Sequence, residues 1–217
     1  MKPDVFERCE KSDISDRLFY GLLSLFISIG LAGTATAAHL SVQFNYEPDL
    51  FGGFLFCFTI PMFGALMVFR NGSSFTSIIG YNITIIPFGI ILGPIMQKYG
   101  QHIARDMYIQ IMLITCIIGH IASFSPELVK DKTSTVTITT AALFVAIIPQ
   151  LFGTPWNTIN WIPCIIRSLL SFYIGYYFYR ARKVPRTVRN SIDVTSRLYV
   201  DMITQLSYNM FIARPTR

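Results

Sequence analysis

Three ionisable side chains lie inside long apolar runs of this sequence and are the first candidates for chemistry: His120, Arg167 and Asp201. An ionisable group inside a bilayer costs free energy, so each needs either a function or a partner. Asp201 is the only acid deep in such a run. It could serve as a proton- or cation-linked gate, because protonation of a carboxylate in a low-dielectric site would break its contacts. It could instead form a static ion pair with Arg197, one turn earlier, or with Arg167 on a neighbouring helix.

The two basic candidates also have two interpretations each. Arg167 could hold Asp201 or repel cations, or its guanidinium could snorkel or bond to backbone carbonyls. His120 lies near the end of its apolar run. We interpret it as a hydrogen-bonded packing residue, with a titrating switch as the alternative.

The composition shows what kind of chain carries these groups. Of 217 residues, 52% are hydrophobic and 14% are charged, with a mean hydropathy of +0.48. An ordinary soluble domain has about 25% charged residues. The sequence therefore predicts a polytopic membrane protein in contact with the lipid bilayer. The net charge of +6 is concentrated in short loops between apolar runs, which favours membrane orientation over nucleic-acid binding.

Six apolar runs predict transmembrane helices, because about 20 apolar residues are needed to cross a bilayer. They are residues 18–38, 50–69, 75–96, 107–124, 136–153 and 158–179. We predict one all-α helical bundle, with a cytoplasmic N-terminal segment over 1–17, a membrane domain over 18–212 and a short tail over 213–217.

The seventh segment, 191–212, differs from the six runs because a polar stripe follows one face. The stripe consists of Asp193, Arg197, Asp201, Gln205 and Asn209, spaced four residues apart. Such a helix can enter the bundle with its stripe turned away from lipid. We predict a seventh helix that either spans the membrane or is re-entrant.

The basic residues predict the orientation of the bundle. The N-terminus and every second loop carry twelve Lys and Arg residues, whereas the alternate loops carry two, Lys98 and Arg105. The positive-inside rule then places the N-terminus in the cytoplasm. The twelve are Lys2, Arg8, Lys11, Arg17, Arg70, Lys130, Lys132, Arg180, Arg182, Lys183, Arg186 and Arg189.

Motifs for enzymatic or metal chemistry are absent from the sequence. It contains no HExxH, GxSxG or phosphate-binding loop, and one aspartate beside arginines supplies no nucleophile with a base. No CxxC or Cys/His pair has the spacing of a metal site. We therefore expect no enzyme, no metal and no cofactor.

Three short motifs carry a family resemblance. They are Leu-Tyr-Val-Asp-Met-Ile at 198–203, Gly-Ile-Ile-Leu-Gly-Pro at 89–94 and Asp-Arg-Leu-Phe-Tyr at 16–20. They resemble, in that order, the C-terminal Leu-Tyr-Leu-Asp-Phe-Ile, the third-helix Gly-x-x-Leu-Gly-Pro and the basic-x-x-Tyr entry into helix one of the Bax inhibitor family. That family comprises the transmembrane Bax-inhibitor-motif proteins.

The resemblance implies a seven-helix bundle in an internal membrane, often that of the endoplasmic reticulum. Members of the family suppress cell death and let stored calcium ions leak in a pH-sensitive manner. Expected partners are calcium ions and membrane-bound cell-death regulators or calcium channels. The alternative is a non-conducting protein that kept the bundle and acts by binding such partners. A third reading, a small-solute transporter, is disfavoured because the sequence has no internal repeat.

The resemblance also implies site residues. In the family, two aspartates on the sixth and seventh helices share a proton and sense pH at the gate. The second maps to Asp201, and the first, 24 residues earlier, falls on Tyr177. Asp193 could replace it only if the seventh helix sits differently. Arg70 matches a basic residue that latches the aspartates in some members, and it could also be an ordinary positive-inside anchor.

Overall fold

The computed structural model describes the backbone of residues 14–47, 49–69, 73–99, 101–153 and 161–212. Within these ranges, side chains are described except at 50, 95–96, 98–99, 101–110, 146–153, 161–167 and 203–212. Every regular element in the described ranges is helical, which confirms the all-α prediction for them.

Eight helices follow one another along the described chain. Helix α1 is Asp16–Gln43, α2 runs from Leu50 to Phe69, and α3 is Ser74–Tyr99. Helix α4 is Gln101–Phe124, and α5 is the short helix Pro126–Lys130, which the sequence analysis did not predict. Helices α6, α7 and α8 are Lys132–Gly153, Trp161–Ala181 and Val188–Ile212.

Polar side chains fix where several helices begin, because they accept hydrogen bonds from backbone amides that have no partner inside the helix. Ser15, Asp49 and Asp131 accept from Leu18, Gly52 and Ser134, respectively. Thr187 likewise accepts from the amide of Asn190 at 3.1 Å. This cap starts α8 at Val188, three residues before the predicted start.

Three helices in the described residues are long and apolar enough to cross a membrane. They cover Asp16–Gln43, Phe51–Phe69 and Ser74–Pro94, and Ile111–Phe124 is a shorter apolar helix. Apolar helices of this length indicate a membrane protein. The six-plus-one arrangement of spans stays a prediction.

The outer face of α2 supports the same conclusion. Phe54, Phe58, Met62 and Leu66, spaced four residues apart, are each between 57% and 65% exposed. Four-residue spacing stacks them on one side of the helix. A continuous exposed stripe of large apolar side chains is rare on a soluble monomer and suits contact with lipid.

A wide turn interrupts α2. Residues Leu55–Thr59 form a π-helical turn, and the amide of Ile60 donates to the carbonyl of Leu55, five residues earlier. The next residue, Pro61, has no amide hydrogen and its ring collides with a regular preceding turn. The π turn therefore lies directly before the proline, where a regular α-helix is disfavoured.

Glycines let neighbouring helices approach closely. A Cβ atom at Gly80 of α3 would lie 2.6 Å from the carbonyl oxygen of Gly64 in α2, and one at Gly89 would lie 2.5 Å from the carbonyl oxygen of Thr34 in α1. Small residues at such crossings are typical of membrane helix packing. Helix α1 packs against α3, α4 and α8, so it forms the centre of the described bundle.

Candidate functional site

Helix α8 is fixed in rotation by a contact with α1. The Tyr199 ring is fully buried, and its hydroxyl hydrogen-bonds the hydroxyl of Thr34. Tyr81 of α3 packs edge-on against the same ring at 5.8 Å between centroids. Residues two apart on an α-helix face nearly opposite sides, at 3.6 residues per turn. With Tyr199 facing α1, the side chain of Asp201 is therefore turned toward α7.

The Asp201 carboxylate meets two tyrosines of α7. The hydroxyls of Tyr173 and Tyr177 each lie 2.5 Å from Asp201 Oδ2 and donate to it. The two phenol oxygens lie 3.2 Å apart, with ring centroids at 4.9 Å. Tyr177 is 5% exposed. This Tyr173–Tyr177–Asp201 cluster joins the last two helices by hydrogen bonds to a charged acceptor, which are stronger than neutral ones.

Tyr173 is a site residue that the sequence had not predicted. The family resemblance pointed to a single position, Tyr177, as the partner of Asp201. The signal was nevertheless present, because a second tyrosine four residues earlier lies on the same helix face. The two phenols give the Asp201 carboxylate two neutral hydrogen-bond donors.

A cavity of about 290 Å³ opens beside this cluster, between α2, α3 and α8. Its walls are mostly apolar, with polar side chains contributed chiefly by α8. The lining residues are Ala65, Val68, Phe69, Thr84, Ser196, Arg197, Val200 and Asp201. Asp201 thus lies between the tyrosines of α7 and a space large enough for a small ligand or a hydrated ion.

The other predicted site residues lie at varying distances from the cluster. Arg197 lines the same cavity one turn before Asp201. Asp193 is 1% exposed and lies two turns earlier on α8, about 12 Å along the axis at 1.5 Å per residue. Arg70 lies outside the described residues, and the Arg167 side chain lies outside the described side chains.

His120 is exposed on α4, where its ring packs against Phe124 with centroids 4.5 Å apart. It therefore makes an aromatic contact on the outer face of the bundle, away from the Asp201 cluster. Across the part of the chain that the structure describes, no three His, Cys, Asp or Glu side chains are grouped closely enough to hold a metal ion.

Ion pairs and a hydrogen bond hold the connection between α7 and α8 against the start of α1 and against α5. Arg186 Nε lies 2.6 Å from Asp16 Oδ1, and Lys130 Nζ lies 2.7 Å from Asp16 Oδ2. Arg182 donates to the carbonyl of Lys130 at 2.5 Å. The Asp16 carboxylate, followed by that of Glu127, raises the pKa of Lys130 above its ordinary value.

The fold and the cluster define an all-helical protein with membrane-spanning candidates and a carboxylate clamped between its last two helices. Comparisons with protein-family models, with curated proteins and with solved structures found no match to this chain.

Proposed function

We propose that the chain is a Bax-inhibitor-like membrane protein that modulates the calcium of an intracellular store and restrains cell death. In this proposal the bundle has six membrane spans, the polar helix α8 is the seventh membrane segment, and the N-terminus is cytoplasmic. The endoplasmic reticulum membrane is the proposed location, as the sequence resemblance implies. The motif Leu-Tyr-Val-Asp-Met-Ile at 198–203 supports this assignment.

One observation supports a gating role within this proposal: Asp201 lies between the phenols of α7 and the cavity. With both hydrogen bonds formed, the carboxylate joins α7 to α8. Movement of a cation into the cavity would offer the carboxylate a competing charge, and loss of the phenol contacts would let the two helices separate. Asp201 would then act as the gate, with Tyr173 and Tyr177 as its latch.

The chemistry of the latch also supports the alternative, a non-conducting protein that binds calcium channels or cell-death regulators. Two aspartates held close together share a proton and so respond to pH near neutrality. A phenol is neutral at pH 7 and donates a hydrogen bond without like-charge repulsion. A bundle latched in this way would stay closed and could serve as a binding partner.

Calcium efflux from liposomes distinguishes the two functions. The purified protein is reconstituted in calcium-loaded vesicles, and leak is followed from pH 6 to 8 for wild type, Asp201→Asn and Tyr177→Asp. Tyr176→Phe is the matched control, because this neighbouring tyrosine is 53% exposed. Leak in wild type that changes with Asp201→Asn would support conduction.

The opposite pattern would support the binding protein. Wild-type vesicles that leak no faster than empty ones, together with leak in Tyr177→Asp, would indicate a bundle that has lost conduction. Unchanged suppression of cell death by Asp201→Asn in cells would argue the same way. Absence of leak in every variant and of any effect on cell death would overturn the proposed function.

A further inference from the structure

The connection between α7 and α8 is strongly basic. Residues 180–189 include five basic residues and no acidic one, and the next acid along the chain is Asp193. The five are Arg180, Arg182, Lys183, Arg186 and Arg189. Because this run directly continues the apolar helix α7, its charges would lie where α7, as a membrane span, leaves the hydrocarbon.

The structure joins these cations to others at the same end of the bundle. Arg182 bonds to the carbonyl of Lys130, and Arg186 and Lys130 share the Asp16 carboxylate. Lys183 follows Arg182 in the chain, and Lys132 lies two residues after Lys130. We call this surface the basic end; it comprises Arg17, Lys130, Lys132, Arg182, Lys183 and Arg186.

Among the described residues, three acids accompany these six cations, and each of the three has a partner within the protein. The Asp16 carboxylate accepts from Lys130 and Arg186, and the Asp131 carboxylate accepts from the amide and hydroxyl of Ser134 at 2.8 and 3.0 Å. Glu127 pairs with Lys130 at 2.8 Å. Glu127 and Asp131 are exposed as well, but six cations against three acids leave the surface with a net positive charge, and Lys132 and Lys183 are both exposed.

Tyrosines beside the basic end indicate where it would lie relative to the membrane surface. Tyr176 is 53% exposed on the last turns of α7, and the Arg182 guanidinium lies 4.0 Å from the centroid of the Tyr179 ring. Exposed tyrosines are enriched where a membrane helix passes the headgroup region. With α7 as a membrane span, the cations that follow these tyrosines would lie at the level of the lipid phosphates.

We propose that the basic end binds the phosphate-bearing headgroups of anionic phospholipids, with Lys132 and Lys183 as the direct contacts. A polybasic segment next to a membrane helix attracts anionic lipids, and each added cation strengthens the attraction several-fold. The ion pairs around Asp16 hold the backbone of both lysines in place, so little ordering is needed on binding. This inference requires the bundle to be in a membrane and does not depend on calcium conduction.

The test measures lipid binding to the full chain in neutral detergent. Native mass spectrometry follows titration with dioctanoyl phosphatidylinositol 4,5-bisphosphate or dioctanoyl phosphatidylcholine. We expect the anionic lipid to bind and the double variant Lys132→Gln/Lys183→Gln to bind it about 10- to 30-fold more weakly. The charge-preserving Lys132→Arg/Lys183→Arg should retain binding. Lys98→Gln/Arg105→Gln, at the end of α3 and the start of α4, removes the same number of charges and is the control for net charge.

Three results would overturn the proposal. Equal binding of the neutral lipid would show that the tails, not the headgroup, are recognised. Undiminished binding by the glutamine double variant, with a circular dichroism spectrum like that of wild type, would place the site elsewhere. Inositol 1,4,5-trisphosphate displacing the lipid at equal concentration would identify a site for free phosphates rather than membrane lipid.

Discussion

The hydroxyl of Tyr177 lies 2.5 Å from Oδ2 of Asp201, across the contact between α7 and α8. The two residues are 24 positions apart in the sequence, and Tyr173 donates to the same oxygen from one turn earlier. Both donors to the Asp201 carboxylate come from α7, so the first two predictions concern the loss of one donor and the addition of a second carboxylate.

Removing one phenol should weaken the α7–α8 contact. We expect Tyr177→Phe to lower the free energy of unfolding by about 1.5–3 kcal/mol, because a hydrogen bond to a charged group is lost. Thermal unfolding in detergent measures the change. Tyr176→Phe should have little effect, and an equal loss in both variants would show that the bond to Asp201 contributes nothing.

Placing a second carboxylate in the cluster should create a pH response. In Tyr177→Asp, the new aspartate and Asp201 would repel each other once both are ionised, and would share a proton at lower pH. We therefore expect calcium leak through this variant to rise from pH 6 to pH 8. A leak that is flat across this range would contradict the assignment of this contact as a latch.

The close crossing of α2 and α3 should tolerate no added methyl group. A Cβ atom at Gly80 would lie 2.6 Å from a backbone oxygen, which cannot rotate away. We expect Gly80→Ala to lower the free energy of unfolding by about 1–3 kcal/mol through overpacking. Gly53→Ala is the control, since nothing lies within 4 Å of its Cβ position. It should be neutral or slightly stabilising, and equal losses would show that the crossing is not tight.

The ion pair between Lys130 and Asp16 should stabilise the fold over a defined pH range. The Asp16 carboxylate raises the pKa of Lys130 above its ordinary value of 10.5. A raised folded-state pKa means that the contribution is complete below pH 10.5 and is lost as the pH rises through the folded-state value. The stability difference between wild type and Lys130→Gln should therefore be constant from pH 7 to 10 and shrink above that. A difference that grows at alkaline pH would contradict this sign.

The long apolar runs predicted where the long helices lie. The short helix α5 and the polar start of α8 were not predicted correctly. The run 50–69 coincides with α2, since Asp49 caps its start and apolar residues fill the rest. Helix α5 has five residues, too few to show a periodic pattern. The predicted start of α8 was three residues too late, because the mostly polar residues after Thr187 resemble a loop in the sequence. The hydrogen bond by which Thr187 caps the helix is evident only in the structure.

The candidate site was only partly predictable. Asp201 stands out in the sequence as an acid in an apolar run, and the resemblance directed attention to Tyr177. Their contact is present in the structure, whereas their role in gating stays a prediction. Tyr173 and the cavity depend on how α7, α2 and α3 are arranged around α8, which side-chain spacing within one helix does not reveal.

The π turn at Leu55–Thr59 has a consequence for the lipid-facing side of α2. In a regular α-helix, residues four apart advance by slightly more than one full turn, so a stripe of such residues winds gradually around the axis. A π turn holds more residues per turn and reverses part of that advance. It acts as a phase correction that keeps Phe54 and Phe58 in angular register with Met62 and Leu66. Winding Leu55–Thr59 as regular α-helix without removing a residue would abolish the correction and rotate the two halves of the stripe apart.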